Sequence, residues 1–516
     1  MKKNIGLWVL LLCSNLIVAQ SELDIVKFVQ PDINGTARYM SMAGAFGALG
    51  GDVSAIKDNP AGLGIYQHSE TVGTLNFLFQ NNDNSWYGVN SSDNLYKLKA
   101  NNFSFVIASP TLQSKKGIKS GLQNSNFSFS FQQVKNFNRQ MTIQSGESPS
   151  SITDYMAYFT NGILEADLQS TDDYEPFDNQ NIPWLSILAY EGYLINPASN
   201  NSWVSILNAD EKVIPSYYLH ESGHINKYSF SWAGNFSHIF YLGFTGNIQT
   251  IDYNAVTEYE ETFGESGGMN LNNTIDASGS GFNLDMGIIF RPVNNFRIGL
   301  SFQSPTVFSI SEDYTPLLNF NTESQGYIST PTGYNSYKLQ TPAVFDASVA
   351  YIFGKKGLIS LEYNYTDLKT TKLMDEYGST KDFKEENSGM KSALDAVSTI
   401  KIGTEWLLTD NFSVRAGYAN MSNVTQKNTE KFMRINTIRT DTEYFLHNGT
   451  KYLTAGFGYH ENSWYLDFAY MNKLTKETFY PYNSIRANEV TGYPIGEPAD
   501  VKTINNNFVI TLGVRF

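Results

Sequence analysis

The chain has 516 residues, a net charge of −14, one cysteine and a mean hydropathy of −0.29. The acidic balance argues against a nucleic-acid partner, the single cysteine against a disulfide framework or a cysteine metal site, and the want of a later run of about eighteen apolar residues against membrane helices. Aromatics at 14%, with 40 glycines and 32 tyrosines, instead suit strands with one apolar face, whose alternation makes the whole-chain hydropathy look soluble.

Lys2 and Lys3, the apolar stretch Ile5 to Val18, and Ala19 ahead of Gln20-Ser21-Glu22 predict a secretory signal peptide over 1–19. Cys13 lies inside it behind Leu12, where lipid anchoring would want a small residue, so the mature chain is expected to carry no thiol. Residues 20–67 do not alternate and are expected to form a separate small domain. They hold a Gly/Ala-rich stretch from Gly35 to Gly51, then Asp52-Val53-Ser54-Ala55 and Asn59-Pro60-Ala61-Gly62. Asp52 suits the N-cap of a short helix through Asp58, which Asn59-Pro60 ends. Small side chains of this kind let backbone pack on backbone, as a domain threaded into a narrow bore requires.

From His68 the chain repeats segments of about ten or more alternating residues. Trp464, Leu466, Phe468 and Tyr470 fall opposite Tyr465, Asp467 and Ala469, and Ile359, Leu361, Tyr363 and Tyr365 fall opposite Ser360, Glu362 and Asn364. Fourteen strands are predicted, over 69–80, 101–110, 123–134, 227–237, 239–252, 280–291, 295–311, 338–353, 357–370, 396–409, 411–421, 449–460, 463–474 and 504–516. Tight links such as Glu461-Asn462 follow even-numbered strands. Long links follow odd-numbered ones, at 81–100, 135–226, 253–279, 312–337, 371–395, 422–448 and 475–503. That order is the one of a bacterial outer-membrane barrel with short periplasmic turns and long external loops. Aromatic pairs beside the turns, Phe290 with Phe296, Trp406 with Phe412 and Tyr459 with Trp464, suit an interfacial girdle. Asp285, Arg291, Arg297, Asp346, Glu362, Lys401, Glu405, Arg415 and Asp467 fall on the other face and belong in the lumen, where structural ion pairing is their expected role.

The stretch from Gly35 through Asn59-Pro60-Ala61-Gly62 resembles the hatch of the FadL-type family of long-chain fatty-acid and aromatic-hydrocarbon transporters. The resemblance rests on about thirty contiguous residues, extended loosely by strand count and the final strand Phe508 to Phe516. It implies an all-β fold: a fourteen-strand transmembrane barrel over 68–516, with residues 20–67 as a hatch in the lumen. It further implies a Gram-negative outer-membrane site, external capture of a hydrophobic small molecule, a lumenal pocket and sideways exit through the wall. Membrane lipid and lipopolysaccharide would be its surroundings, and Phe516 resembles the signal read by barrel-assembly machinery. Asn59, Pro60, Ala61 and Gly62 carry over as hatch-motif residues. The family's kinked third strand has no Gly or Pro to mark it within 123–134, whereas Pro305 and Pro342 mark irregularities in strands seven and eight, so a lateral gap is left unplaced.

Phe28, Tyr39, Met42 and Phe46 are candidate ligand contacts, or else hatch core. In the long loop, Tyr155, Phe159, Trp184 and Leu188 sit on two predicted amphipathic helices, either as a capture groove or as a packed lid. His220-Glu221-Ser222-Gly223-His224 matches a zinc-protease motif in spacing, but that motif needs a helix and this segment runs into a strand. No catalytic residues, metal or cofactor are expected. A general porin or structural barrel is the alternative to a hydrophobic-solute transporter, and a loop-borne zinc hydrolase the remote third reading.

Overall fold

The computed structural model describes residues 23–208, 210–264, 267–427, 429–431, 433–434, 437–483 and 497–516. The leader expected over 1–19, Cys13 included, lies outside them. Fourteen antiparallel strands follow in chain order: β1 (Glu70–Trp86), β2 (Val89–Ile107), β3 (Leu122–Asn136), β4 (Val213–Phe236), β5 (Phe240–Phe263), β6 (Gly268–Val293), β7 (Phe296–Gln303 with Val307–Asn321), β8 (Gly333–Gln340 with Val344–Ile352), β9 (Gly357–Asp367), β10 (Ala396–Leu407), β11 (Phe412–Met421), β12 (Tyr444–His460), β13 (Trp464–Tyr480) and β14 (Ala499–Arg515). Each pairs with its neighbour, and β14 pairs with β1 from Glu70↔Arg515 to Ser85↔Asp500, which closes the ring.

Closure matters because an open sheet edge cannot lie in hydrocarbon. The outer face carries the apolar half of each alternation. Phe77, Phe103, Phe230, Leu284, Leu300, Leu361, Ile400, Leu453 and Leu512 are exposed, while the residues between them turn inward. An exposed apolar belt running right round a cylinder is a lipid contact surface. At its lower rim Trp406 stacks on Phe353 at 5.4 Å and Tyr459 meets Trp464 at 5.8 Å, beside the tight turns.

Above the belt the molecule departs from the expected loops. From Leu75↔Ala100, just past a register shift, β1 and β2 pair without interruption up to Trp86↔Val89, so 81–100 is hairpin and not loop. β4, β5 and β6 contain 24, 24 and 26 residues, against the 9–11 or so that cross a bilayer. The expected loop 253–279 is therefore mostly strand. These extensions have no lipid face, and in runs such as Asn81-Asn82-Asp83-Asn84-Ser85 even the buried positions, Asn82 and Asn84, are polar, so no hydrophobic alternation marks the hairpin.

The long connection between β3 and β4 carries a short strand Arg139–Gln144, helix α1 (Ile152–Thr160) and helix α2 (Trp184–Glu191). Ser151 and Asp154 form a capping box at the start of α1. Glu261, at the top of β5, accepts from the Ile152 amide at 2.8 Å and from the Tyr259 hydroxyl at 2.7 Å. Both helices pack with the tower strands and with Leu23, Ile25 and Phe28 of the N-terminal segment in one apolar core.

Candidate functional site: the occupied lumen

The N-terminal residues cross the lumen as short turns: helical Val26–Val29 and Ala37–Ser41, then 3₁₀ turns Val53–Lys57 and Pro60–Ile65. The Asp52 side chain caps the third of these by accepting from the Ser54 amide at 2.9 Å. The Asn59 side chain accepts from the Ala61 amide at 3.0 Å, and its amide donates to the carbonyls of Gly47 at 2.7 Å and of Ile288 in β6 at 3.2 Å. Asn59 thus ties two turns of the segment to the wall. Two wall glycines make this approach possible: a Cβ added at Gly243 would collide with Pro60, and one at Gly287 with the Asn59 side chain. Sequence reasoning missed both, because a glycine in a strand signals a close approach without naming its partner.

Other strands hold the same segment from several sides. Arg38 donates to both Glu405 oxygens, at 2.8 and 3.0 Å, and Glu405 also meets Arg415, which bonds Asp467 at 2.6 Å. Glu362 accepts from the Gly47 amide at 2.7 Å and from Lys401 at 2.7 Å. Asp285 pairs with Lys227 at 2.9 Å, and Arg297 donates to the Leu49 carbonyl at 2.6 Å. Arg291 instead bonds Asn294 in its own turn, at 3.2 Å. On the far side the Ala37 amide donates to the Thr511 hydroxyl at 2.7 Å.

The wall is incomplete beside this segment. β2 and β3 pair only from Asn102↔Gln132 to Ile107↔Phe127, so above Asn102 the backbone ladder of β2 is with β1 alone, while side chains such as Ser91 and Asp93 reach the chain beyond β3, at Thr142. The register of β3 against β4 slips between Gln133 and Lys135. The chain beyond it is held from β1 by the amides of Gln80, Asn82 and Asn84, which donate to the carbonyls of Asn138, Gln140 and Thr142. The departure needs neither glycine nor proline, which is why the sequence left it unmarked. The N-terminal segment engages β3 at that level: the Asp32 amide donates to the Val134 carbonyl at 2.9 Å and the Asn34 side chain to the Gln133 carbonyl at 2.7 Å. Burial pushes the Asp32 carboxyl up, but Lys135 at 3.8 Å, the hydrogen-bonded Lys473 and the charge of Lys99 outweigh it and hold the acid at about 2.

Two cavities flank residues 30–33. One, of about 170 Å³, is lined by Phe28, Tyr39, Lys57, Phe308, Val344, Leu368, Val397 and Lys401 among others. The second, of about 250 Å³, includes Leu78, Lys99, Lys135, Tyr217, Phe445, Tyr452 and Lys473. Of the eight candidate contacts, Phe28 and Tyr39 line the first cavity. Met42 instead packs against wall glycines Gly403 and Gly417, and Phe46 against Tyr39 and Arg38. Tyr155 stacks on Phe159 and Tyr482, Trp184 meets Phe177 edge-on, and Leu188 is fully buried. Tyr155, Trp184 and Leu188 sit in the core of the external cap, with Phe159 packed against it. None of the four lines either cavity. Lys99, Lys135 and Lys473 are site residues that sequence reasoning missed, since their convergence spans three strands.

His220, Glu221 and His224 stand on β4, and Glu221 bonds Lys27 at 3.3 Å and Tyr253 at 2.7 Å. Residues four apart on a strand are roughly 13 Å apart, beyond the span of one metal ion.

No family model matches the sequence, and no curated protein matches it. Among solved structures the chain is similar to a FadL homologue of Pseudomonas aeruginosa, at 11% identity and a TM-score of 0.53 over 95% of this chain and 99% of that one. It is likewise similar to the toluene transporter TodX of Pseudomonas putida, at 11% identity and 0.51 over 94% and 99%. The fold is that of the FadL-type barrel. At such identity the likeness speaks for architecture, a closed barrel of fourteen strands. The irregular β2–β3 wall and the lysines around Asp32 are this chain's own geometry.

Proposed function

We propose that the chain is an outer-membrane passive transporter of hydrophobic small molecules. Residues 20–67 serve as its hatch, the α1–α2 cap covers its external mouth, and the β2–β3 gap is its sideways exit. Residues 32–34, bonded to β3 beside that gap, stopper it. A greasy solute gains little from an aqueous pore and much from an apolar path between surface and bilayer. The similarity to a FadL homologue and to a toluene transporter supports the solute class at that breadth.

The observation that carries this reading is the meeting of Lys99, Lys135 and Lys473 on Asp32, in a cavity where Leu78, Tyr217 and Phe445 stand beside Glu221 and Glu477. An amphiphile with an acidic head can take the place of Asp32 on these lysines, while its tail lies on Leu78, Tyr217 and Phe445. An entering carboxylate that takes Asp32's partners frees the stopper, which couples recognition to exit.

Binding of dodecanoate by the refolded barrel, followed by tryptophan fluorescence, tests it. Saturable binding that weakens in Lys135→Ala/Lys473→Ala supports the reading, and no binding of dodecanoate or ethylbenzene overturns it. A water-filled porin is the rival. Deleting residues 21–64 should turn a closed barrel into a conducting one in planar bilayers, whereas equal conductance before and after favours the porin.

A further inference from the structure

The smaller cavity abuts a second weak place in the wall. β7 is interrupted at Ser304-Pro305-Thr306 and β8 at Thr341-Pro342-Ala343. The interruptions face each other: the β7–β8 ladder runs up to Gln303↔Val344, stops, and resumes at Val307↔Gln340. Proline offers no amide donor, so two of these six residues cannot donate to a ladder. What remains is a clasp between two threonines, in which the Thr341 amide donates to the Thr306 carbonyl and the Thr306 amide to the Thr341 hydroxyl, each at 2.9 Å.

The other side of β8 loosens at the same level. Val344 still pairs with Thr366 of β9 and Gln340 with Lys372, so three residues of β8 face five residues, 367 to 371, which coil into a 3₁₀ turn. Ser304, Thr306, Thr341 and Pro342 all line the smaller cavity from within. Pro305 and Ala343 are partly exposed on the other side, next to lipid-facing Val307 and Phe345.

We infer that this β7–β8 seam is a second lateral portal, serving the smaller cavity and passing uncharged apolar molecules. The inference rests on the transport reading above and adds a route to it. The charge class follows from the rims. Lys99 of β2 and Lys135 of β3 flank the first gap, whereas the six seam residues carry no charge, so an ion leaving the cavity by the seam would give up Lys57, Lys227 and Lys401 for no partner and an uncharged solute loses nothing on crossing. The size class follows from the volume, about 170 Å³ with Phe28, Phe308, Val344, Leu368 and Val397 as its apolar lining, since ~150 Å³ accommodates benzene.

The test compares initial uptake of radiolabelled ethylbenzene and of dodecanoate by cells producing each form, against cells without the protein. Pro305→Val/Pro342→Val restores two ladder donors and zips the seam, and Ala343→Trp fills the notch from the lipid side. The expected result is a fall of about tenfold in ethylbenzene uptake in both variants, the effect of ~1.4 kcal/mol on a barrier, with dodecanoate uptake held within twofold. Ethylbenzene uptake unchanged in both variants overturns the portal, as does an equal fall for both probes. If the wild type takes up neither probe, the transport reading fails first and the portal falls with it. Uptake of dodecanoate alone by the wild type overturns only the portal. Should a variant not reach the folded form, wild-type protein in vesicles is photolabelled with a diazirine-bearing alkylbenzene. Label on residues 303–307 or 340–344 supports the portal, and label confined to β2 and β3 overturns it.

Discussion

The lower barrel and the tower above it are built from the same fourteen strands, yet different solvents select their side chains. Below, each strand has lipid on one side and the occupied lumen on the other, so Leu361 points out between Ser360 and Glu362, which point in. Above, β4 to β6 meet water on one face and the cap on the other, and the outer positions of β5 and β6, such as Glu260, Thr262, Asn270 and Asn272, are polar. Backbone pairing alone continues a strand, but an apolar neighbour is needed to write alternation into the sequence.

Substitutions that move a residue between these regimes sharpen the contrast. The largest effect is expected in the lumen. Glu362→Ala strands Lys401 and the Gly47 amide, and breaking a buried pair costs about 3–5 kcal/mol, read as a lower urea midpoint for the barrel in vesicles. Leu361→Arg, on the lipid face, should cost about 2–4 kcal/mol by the same measurement. A cost near zero would mean that the belt does not contact hydrocarbon.

Asp32 comes next. Its folded value of about 2 lies below its ordinary 3.8, so its contribution is fully present above 3.8 and is lost as pH falls through about 2, to the extent of about 2 kcal/mol. A nitroxide at Pro31→Cys should be immobile at pH 5 and mobile near pH 2, while with Asp32→Asn added it should be mobile at both. Pinning that persists at low pH would show that the lysines do not hold the segment. Smallest of all is Thr262→Arg, exposed on the tower, which should shift stability by no more than about 0.5 kcal/mol. A shift as large as that of Leu361→Arg would erase the distinction between the two regions.

The same physics decides what was legible. Strand number and turn side could be read because lipid imposes period two where the strands cross, and Pro305 and Pro342 announced the breaks in β7 and β8. The predicted starts of β2, β4 and β6 came about ten or more residues late, because Asn90-Ser91-Ser92-Asp93 in β2 is polar on both faces, and in β4 and β6 the buried apolar residues Tyr217, Leu219, Met269 and Leu271 are followed on the same face by Glu221 and Asn273. The β2–β3 gap was illegible for another reason. It arises from a register slip at Gln133 and from partners such as Asn82 and Asp32, all distant in sequence. The lysines around Asp32 stand at 99, 135 and 473, and period-two reasoning assigns each a face without bringing the three together.

The closing seam between β1 and β14 has a consequence for the order of assembly. Residues 23–67 precede β1, yet the Ala37 amide is bonded to Thr511 of the final strand and the Ser41 carbonyl to Thr454 of β12. A body held on many sides cannot be threaded through a finished cylinder, so it must already stand in place when the last strand docks. The ring is completed around its contents, by a contact between residues more than 400 positions apart, which makes that docking the slow, entropy-limited event in maturation.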